Sequence, residues 1–93
     1  MIVGVRQWDL QLFGCHSLKD KRSVLQSLKA ALGNGLNISV AETGAQDSWQ
    51  RAEIACAAVG SDRKVVEGIL RSADGIVERA GGVRIIDTMS SYF

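Results

Sequence analysis

Cys15 and His16 are the residues whose chemistry is easiest to name, because a thiol attacks as its thiolate and a nearby imidazole makes that thiolate available. Adjacency works against the pair. Neighbouring side chains project apart, and no acid is placed to orient the imidazole, so no catalytic residue is expected. The second cysteine, Cys56, lies 41 positions on, with no C-x-x-C pair, and the chain has a single histidine. Neither a metal site, a disulfide framework nor a bound cofactor is expected from that set.

A different chemistry is written at Ser17–Arg22, "SLKDKR", where Lys19, Lys21 and Arg22 stand in the opening turns of a helix. The positive end of a helix disfavours cations, by roughly 0.3–1 kcal/mol for each exposed charge. Ser17 and Asp20 have capping-box spacing and account for the helix start, but nothing in that device needs the three cations. Ser17 to Leu32 holds four bases and one acid, a local charge of +3. One account is a solvated flank whose cations pair with Glu42, Asp47 or Glu53. The other is a set of phosphate contacts beside the free N–H groups of a helix start. The later stretch "QDSWQR" adds Trp49, either a plug over the end of a sheet or a platform on which a base stacks, with Arg51 near it for phosphate.

The elements that position these residues follow from periodicity. Ile2 to Phe13 alternates, with Trp8, Leu10 and Leu12 on one face, which predicts a half-buried strand. Leu18, Val24, Leu25, Leu28 and Leu32 then recur at helical spacing, closed by Gly33 or Gly35. "LNISVAE" and "RAEIACAAVG" read as two strands joined by a long loop. Val65, Val66, Ile69, Leu70, Ala73, Ile76, Val77 and Ala80 predict a second helix from Ser61 or Asp62 to about Ala80. Gly68 and Gly75 sit inside it, at a cost of about 1 kcal/mol each relative to alanine. "VRIIDTM" predicts a last strand, followed by a short tail, "SSYF".

That order is β-α-β-β-α-β, an α+β chain of the ferredoxin-like kind: a four-stranded antiparallel sheet in the order 4-1-3-2, with both helices on one face. At 93 residues there is room for one core, so residues 1–93 are expected to form a single domain. Hydrophobic residues at 46% and charged residues at 23% fit a folded protein, and a net charge of +1 means that electrostatic binding must come from a local patch. The N-terminus reaches Arg6 and Asp9 too soon for a signal peptide or membrane span, so a cytoplasmic protein with no membrane partner is expected. The uncovered sheet face would carry Val3, Val5, Gln7 and Asp9, and the two valines beside small residues of the third strand make dimerisation or another small oligomer plausible. The same face lacks the central-strand aromatics of an RNA-recognition motif, and the "GCHS" loop lacks the phosphate-cradling arginine of an acylphosphatase.

Three blocks, "MIVGV", "SLKDKR" and "AETGAQDSWQRAE", stand in the order found in the YlxP-like family of short bacterial proteins (DUF503 type), which the chain resembles over essentially its whole length. The resemblance implies a ferredoxin-like fold, no established enzymatic activity, and a gene neighbourhood with transcription and translation factors and a ribosome-binding factor. Arg6 departs from the family pattern at a core-facing position, where an apolar residue is expected. Taken with the basic helix start, the expectation is a non-enzymatic module that binds RNA or a ribosomal particle through Lys19, Lys21, Arg22, Trp49 and Arg51. The competing expectation is a homo-oligomeric interaction module that uses the open sheet face and binds no nucleic acid.

Overall fold

A computed structural model describes residues 1–93. It contains β1 (Ile2–Leu12), α1 (Leu18–Gly35), β2 (Ser39–Gly44), β3 (Arg51–Gly60), α2 (Arg63–Arg79) and β4 (Val83–Tyr92). The sheet order is β2-β3-β1-β4 and every pairing is antiparallel, which is the expected ferredoxin-like arrangement. No helix is long and apolar enough to cross a membrane.

Alternation along β1 and β3 decides which face is covered. Trp8, Leu10 and Leu12 of β1 and Ala52, Ile54, Cys56 and Ala58 of β3 are buried, against Leu25, Leu28 and Leu32 of α1 and Val66, Leu70, Ala73 and Val77 of α2. Burying apolar side chains of this kind gains roughly 1.5–3 kcal/mol each, which is what holds two amphipathic helices on the sheet. Gly4 sets how closely α2 approaches, since a Cβ there would overlap Val66 and press on Leu70. The interior glycines of α2 have no such function. A Cβ at Gly68 meets only the far end of Arg71, and one at Gly75 only the Arg79 guanidinium, so both are tolerated weaknesses.

Each helix starts on a side-chain cap. Ser17 Oγ accepts from Asp20 N at 3.1 Å, and the Asp20 carboxylate accepts from His16 N at 3.0 Å, one residue before the partner of a regular capping box. Asp62 Oδ1 accepts from Val65 N at 2.9 Å.

Two boundaries differ from the sequence expectation. The second strand starts at Ser39 and not Leu36, because the Leu36 N–H closes α1 on the Leu32 carbonyl at 3.1 Å. The tail "SSYF" is largely strand: β4 runs to Tyr92, and Val3 and Phe93 exchange backbone hydrogen bonds of 2.9 and 2.8 Å. Its polar residues hid this, but β1 has 11 residues and offers unpaired backbone groups along its whole length, which a neighbouring chain segment satisfies.

Candidate functional site

Lys21 is not on the surface. Its side chain is 3% exposed, and the ammonium donates to the Ala45 carbonyl at 2.6 Å and the Ser48 carbonyl at 2.8 Å, with Glu42 as its ion-pair partner at 3.2 Å. Two carbonyls hold the ammonium and Glu42 faces its charge, so the expected phosphate contact at Lys21 is corrected to an internal tie between α1 and the β2–β3 loop. The sequence carried the signal. Lys21 precedes Leu25, Leu28 and Leu32 by four, seven and eleven residues, which places it on the buried stripe of the helix. Ala45, whose carbonyl also accepts from Ser48 N at 3.1 Å, has φ +57°, a left-handed conformation that alanine adopts at a cost.

Lys19 and Arg22 are exposed and Lys29 is half-buried, and none of them has an acid within 4.0 Å. Of the expected pairings with Glu42, Asp47 and Glu53, only Lys21 with Glu42 forms. Arg22, Gln26 and Lys29 lie four and seven residues apart along α1 and, with Gln46 of the loop, line a groove of about 270 Å³ whose lining includes Lys21 and Glu42. Seven residues of helix span about 10.5 Å, so Arg22 and Lys29 present two separated positive charges along one wall.

Trp49 is 46% exposed, between the plug and the free platform. Arg51 is exposed and alternates with buried Ala52, so it points to the sheet face opposite α1. Arg51 therefore shares an end of the molecule with Lys19 and Arg22 but not a face. In the loop, the Ser48 hydroxyl accepts from Arg51 N at 3.2 Å.

Cys15 packs in the core and His16 is exposed, so the two do not form a nucleophile and base. Both cysteines are buried free thiols, and no three His, Cys, Asp or Glu side chains converge as metal ligands. Burial pushes the Cys56 thiol from its ordinary 9.0 up to about 11, against the favourable influence of Arg6.

Arg6 solves the problem its position posed. The guanidinium grips Asp74 of α2 with two donors, Nε to Oδ1 at 3.1 Å and Nη2 to Oδ2 at 2.8 Å, and also donates to Ser90 Oγ of β4. Trp8 Nε1 donates to the same Asp74 Oδ1 at 2.9 Å. One carboxylate thus satisfies the guanidinium and the indole of the most buried aromatic, an arrangement missed from sequence because the partners lie 68 and 66 residues apart.

The uncovered face is organised in rows set by register. Val59, Val3 and Phe93 form one end, followed by Ser39, Ala57, Val5 and Ser91, then Ala41, Ala55, Gln7 and Met89. Glu53, Asp9 and Asp87 make an acidic row, and Arg51, Gln11 and Arg84 a basic one, in which Arg84 donates to Gln11 Oε1 at 3.1 Å. Like charges directly opposite each other cost stability, so an acidic row crossing three strands is not a packing device.

Comparison with known proteins places these features in a family. The family model described as "Protein of unknown function (DUF503)" matches residues 3–90. The uncharacterized protein YlxP of Bacillus subtilis (strain 168) is 29% identical over 92 residues, covering 99% of this chain and 100% of the relative. Among solved structures, SnoaB, a cofactor-independent oxygenase from Streptomyces nogalater, aligns over 99% of this chain and 90% of its own at 14% identity, with a TM-score of 0.41. At that TM-score neither its fold nor its chemistry bears on this chain. With 88 of the 93 positions inside the family model, the chain belongs to the DUF503 family.

Proposed function

We propose that the protein is a binding module for RNA or a ribonucleoprotein particle, with no catalytic step of its own. The observation that carries this is the inequality among the cations of α1. Lys21 is neutralised inside the protein, whereas Lys19, Arg22 and Lys29 are left without acid partners, two of them exposed. Unpaired cations on one helix wall are what phosphate groups require. The Lys21 tie supports the same use, because it fixes the loop carrying Trp49 against the helix carrying Lys19 and Arg22. Phosphate contacts are assigned to Lys19, Arg22 and Lys29, with Trp49 and Arg51 reached around the end of the sheet.

Filter binding to RNA at several salt concentrations tests this. Affinity falls steeply with salt, and Lys19→Gln with Arg22→Gln lowers the slope of log K against log salt by about 0.7–0.9 for each lost contact. No binding to RNA or ribosomal particles at low salt, or an unchanged slope in the double variant, refutes the proposal.

A second reading is supported by the apolar end of the open face, where Val59 is 60% and Phe93 75% exposed beside Val3 and Val5. Here the protein pairs with itself or another protein through the sheet. Sedimentation that gives a dimer for the parent chain and a monomer for Val59→Lys or Val5→Lys supports this use. A monomer at every concentration removes it.

A further inference from the structure

The basic row at the end of the open face continues by one more pair of residues. Leu12 N donates to the Gln50 carbonyl at 2.7 Å and Phe13 N to the Gly82 carbonyl at 2.9 Å, so the pairing persists beyond the last strand residue of β1. The β1–β3 register ends with Gln11 opposite Arg51, and Phe13 and Trp49 are the residues two further along each segment, in bends just past the ladder. Both aromatics stand half out of the protein, Phe13 at 51% and Trp49 at 46%. The last row of the ladder before them holds Arg51 and Arg84, neither with an acid within 4.0 Å, and the next open-face row is the acidic one of Glu53, Asp9 and Asp87.

We infer that this sheet end, Phe13 and Trp49 with Arg51 and Arg84, is a stacking site for unpaired bases of single-stranded RNA. The inference rests on the RNA-binding function proposed above and names the form of RNA. A hydrophobic core gains nothing from two exposed aromatic rings, whereas a base presents a flat face that either ring matches whatever its sequence. Two guanidinium groups without acid partners in the adjacent row supply the phosphate contacts that such stacking needs. The row spacing is about 7 Å, two residues of strand, close to the distance between successive phosphates. The three carboxylates one row further repel the backbone, so the site ends there and holds about two nucleotides. Duplex RNA keeps its bases inside and offers the aromatics nothing.

The probes are a labelled eight-nucleotide oligouridine RNA and an eight-base-pair RNA duplex, titrated by anisotropy into the full chain. The single strand binds more tightly than the duplex. Trp49→Ala and Phe13→Ala each weaken it about tenfold, the effect of losing one stacked base, and Arg84→Gln lowers its salt slope by about 0.7. Phe13→Leu keeps an apolar side chain and loses affinity, whereas Phe13→Trp retains it, which separates stacking from folding. Oligouridine quenches the emission of Trp49, while Trp8, fully buried, contributes a constant background. If Phe13→Leu and Trp49→Ala bind as the parent does while Lys19→Gln with Arg22→Gln weakens binding, the stacking site is wrong and the RNA function stands. If no RNA binds at low salt, both fall.

Discussion

Lys21 and Arg6 are both cations drawn under the helices, one toward the β2 edge of the sheet and one toward the β4 edge, and they are neutralised in different ways. Lys21 ties α1 to the β2–β3 loop through two backbone carbonyls and Glu42, as a compact charge that three rotating donors can surround. Arg6 joins β1 to α2 and β4 as a planar fork on Asp74, with Trp8 sharing the carboxylate. Lys21 is the more deeply buried, at 3% against 14% for the Arg6 side chain. The difference separates two tasks: Lys21 fixes a loop that carries candidate binding residues, whereas the fork of Arg6 on Asp74 lets a strand with a charge on its covered face still pack against α2.

The largest expected effect is at Lys21. Replacing it with methionine leaves Glu42 without its counter-charge and the Ser48 carbonyl without its donor, while the Ala45 carbonyl keeps Ser48 N, and breaking a buried pair from one side costs about 3–5 kcal/mol. Urea unfolding reads this as a lower midpoint at unchanged m-value. Adding Glu42→Gln to Lys21→Met recovers part of the loss, and a double-mutant cycle that returns no coupling breaks the picture of a neutralised tie. Asp74→Ala comes next, at about 2–4 kcal/mol, since it strands a guanidinium and an indole N–H together. Asp74→Asn costs less, because its amide oxygen still accepts from Trp8. Equal losses for the two variants mean that the Trp8 contact contributes nothing.

Arg6→Lys sharpens the contrast between the two cations. A lysine reaches Asp74 with a single point charge and loses the two-pronged contact, for about 1–2 kcal/mol. Cys56, paired with Arg6 in register, reports the same environment through pH. Its thiol is pushed up from 9.0 to about 11 by burial, so the folded protein holds the proton more tightly than the unfolded chain does. The stabilisation is complete below about pH 9 and is lost as pH rises toward 11. Melting temperature falls over that window in the parent chain, and Cys56→Ala removes this component of the fall.

What was legible in the sequence follows from whether partners are local. Alternation marked Trp8, Leu10 and Leu12, and β3 matched its run from Arg51 to Gly60, because strand and helix periods are properties of consecutive residues. Lys21 is legible in part: its spacing to Leu25 puts it on the buried stripe, while a lysine's charge points to the surface, and which of the two wins depends on the carbonyls of a loop more than twenty residues away. Arg6 was not legible, since its answer lies on another helix. Nor were the rows of the open face. A bulge in β4 adds Ile86 between Ile85, opposite Leu10, and Asp87, opposite Asp9, and reverses the alternation after it. Met89 and Asp87 reach the open face for that reason. The basic patch divided for a similar one: Arg51 alternates to the face opposite α1, and sequence proximity to Trp49 could not show it.

The smallest expected effect on stability is at the cations that were left free, and it is the sharpest test of the comparison. Lys19 and Arg22 have no acid partner and stand in solvent, where substitutions change stability by about 0.5 kcal/mol or less. Removing positive charge near the start of α1 relieves an unfavourable interaction with the helix dipole, so Lys19→Gln holds the melting temperature or raises it slightly. Lys21→Met does the reverse, because its charge is the one the fold uses. The fold gains nothing from cations at the unfavourable end of a helix, which is the ground on which the proposed reading assigns them to phosphate. A fall in melting temperature of several degrees in Lys19→Gln with Arg22→Gln makes them structural after all. An unchanged melting temperature with a flattened salt dependence of RNA binding makes them contacts.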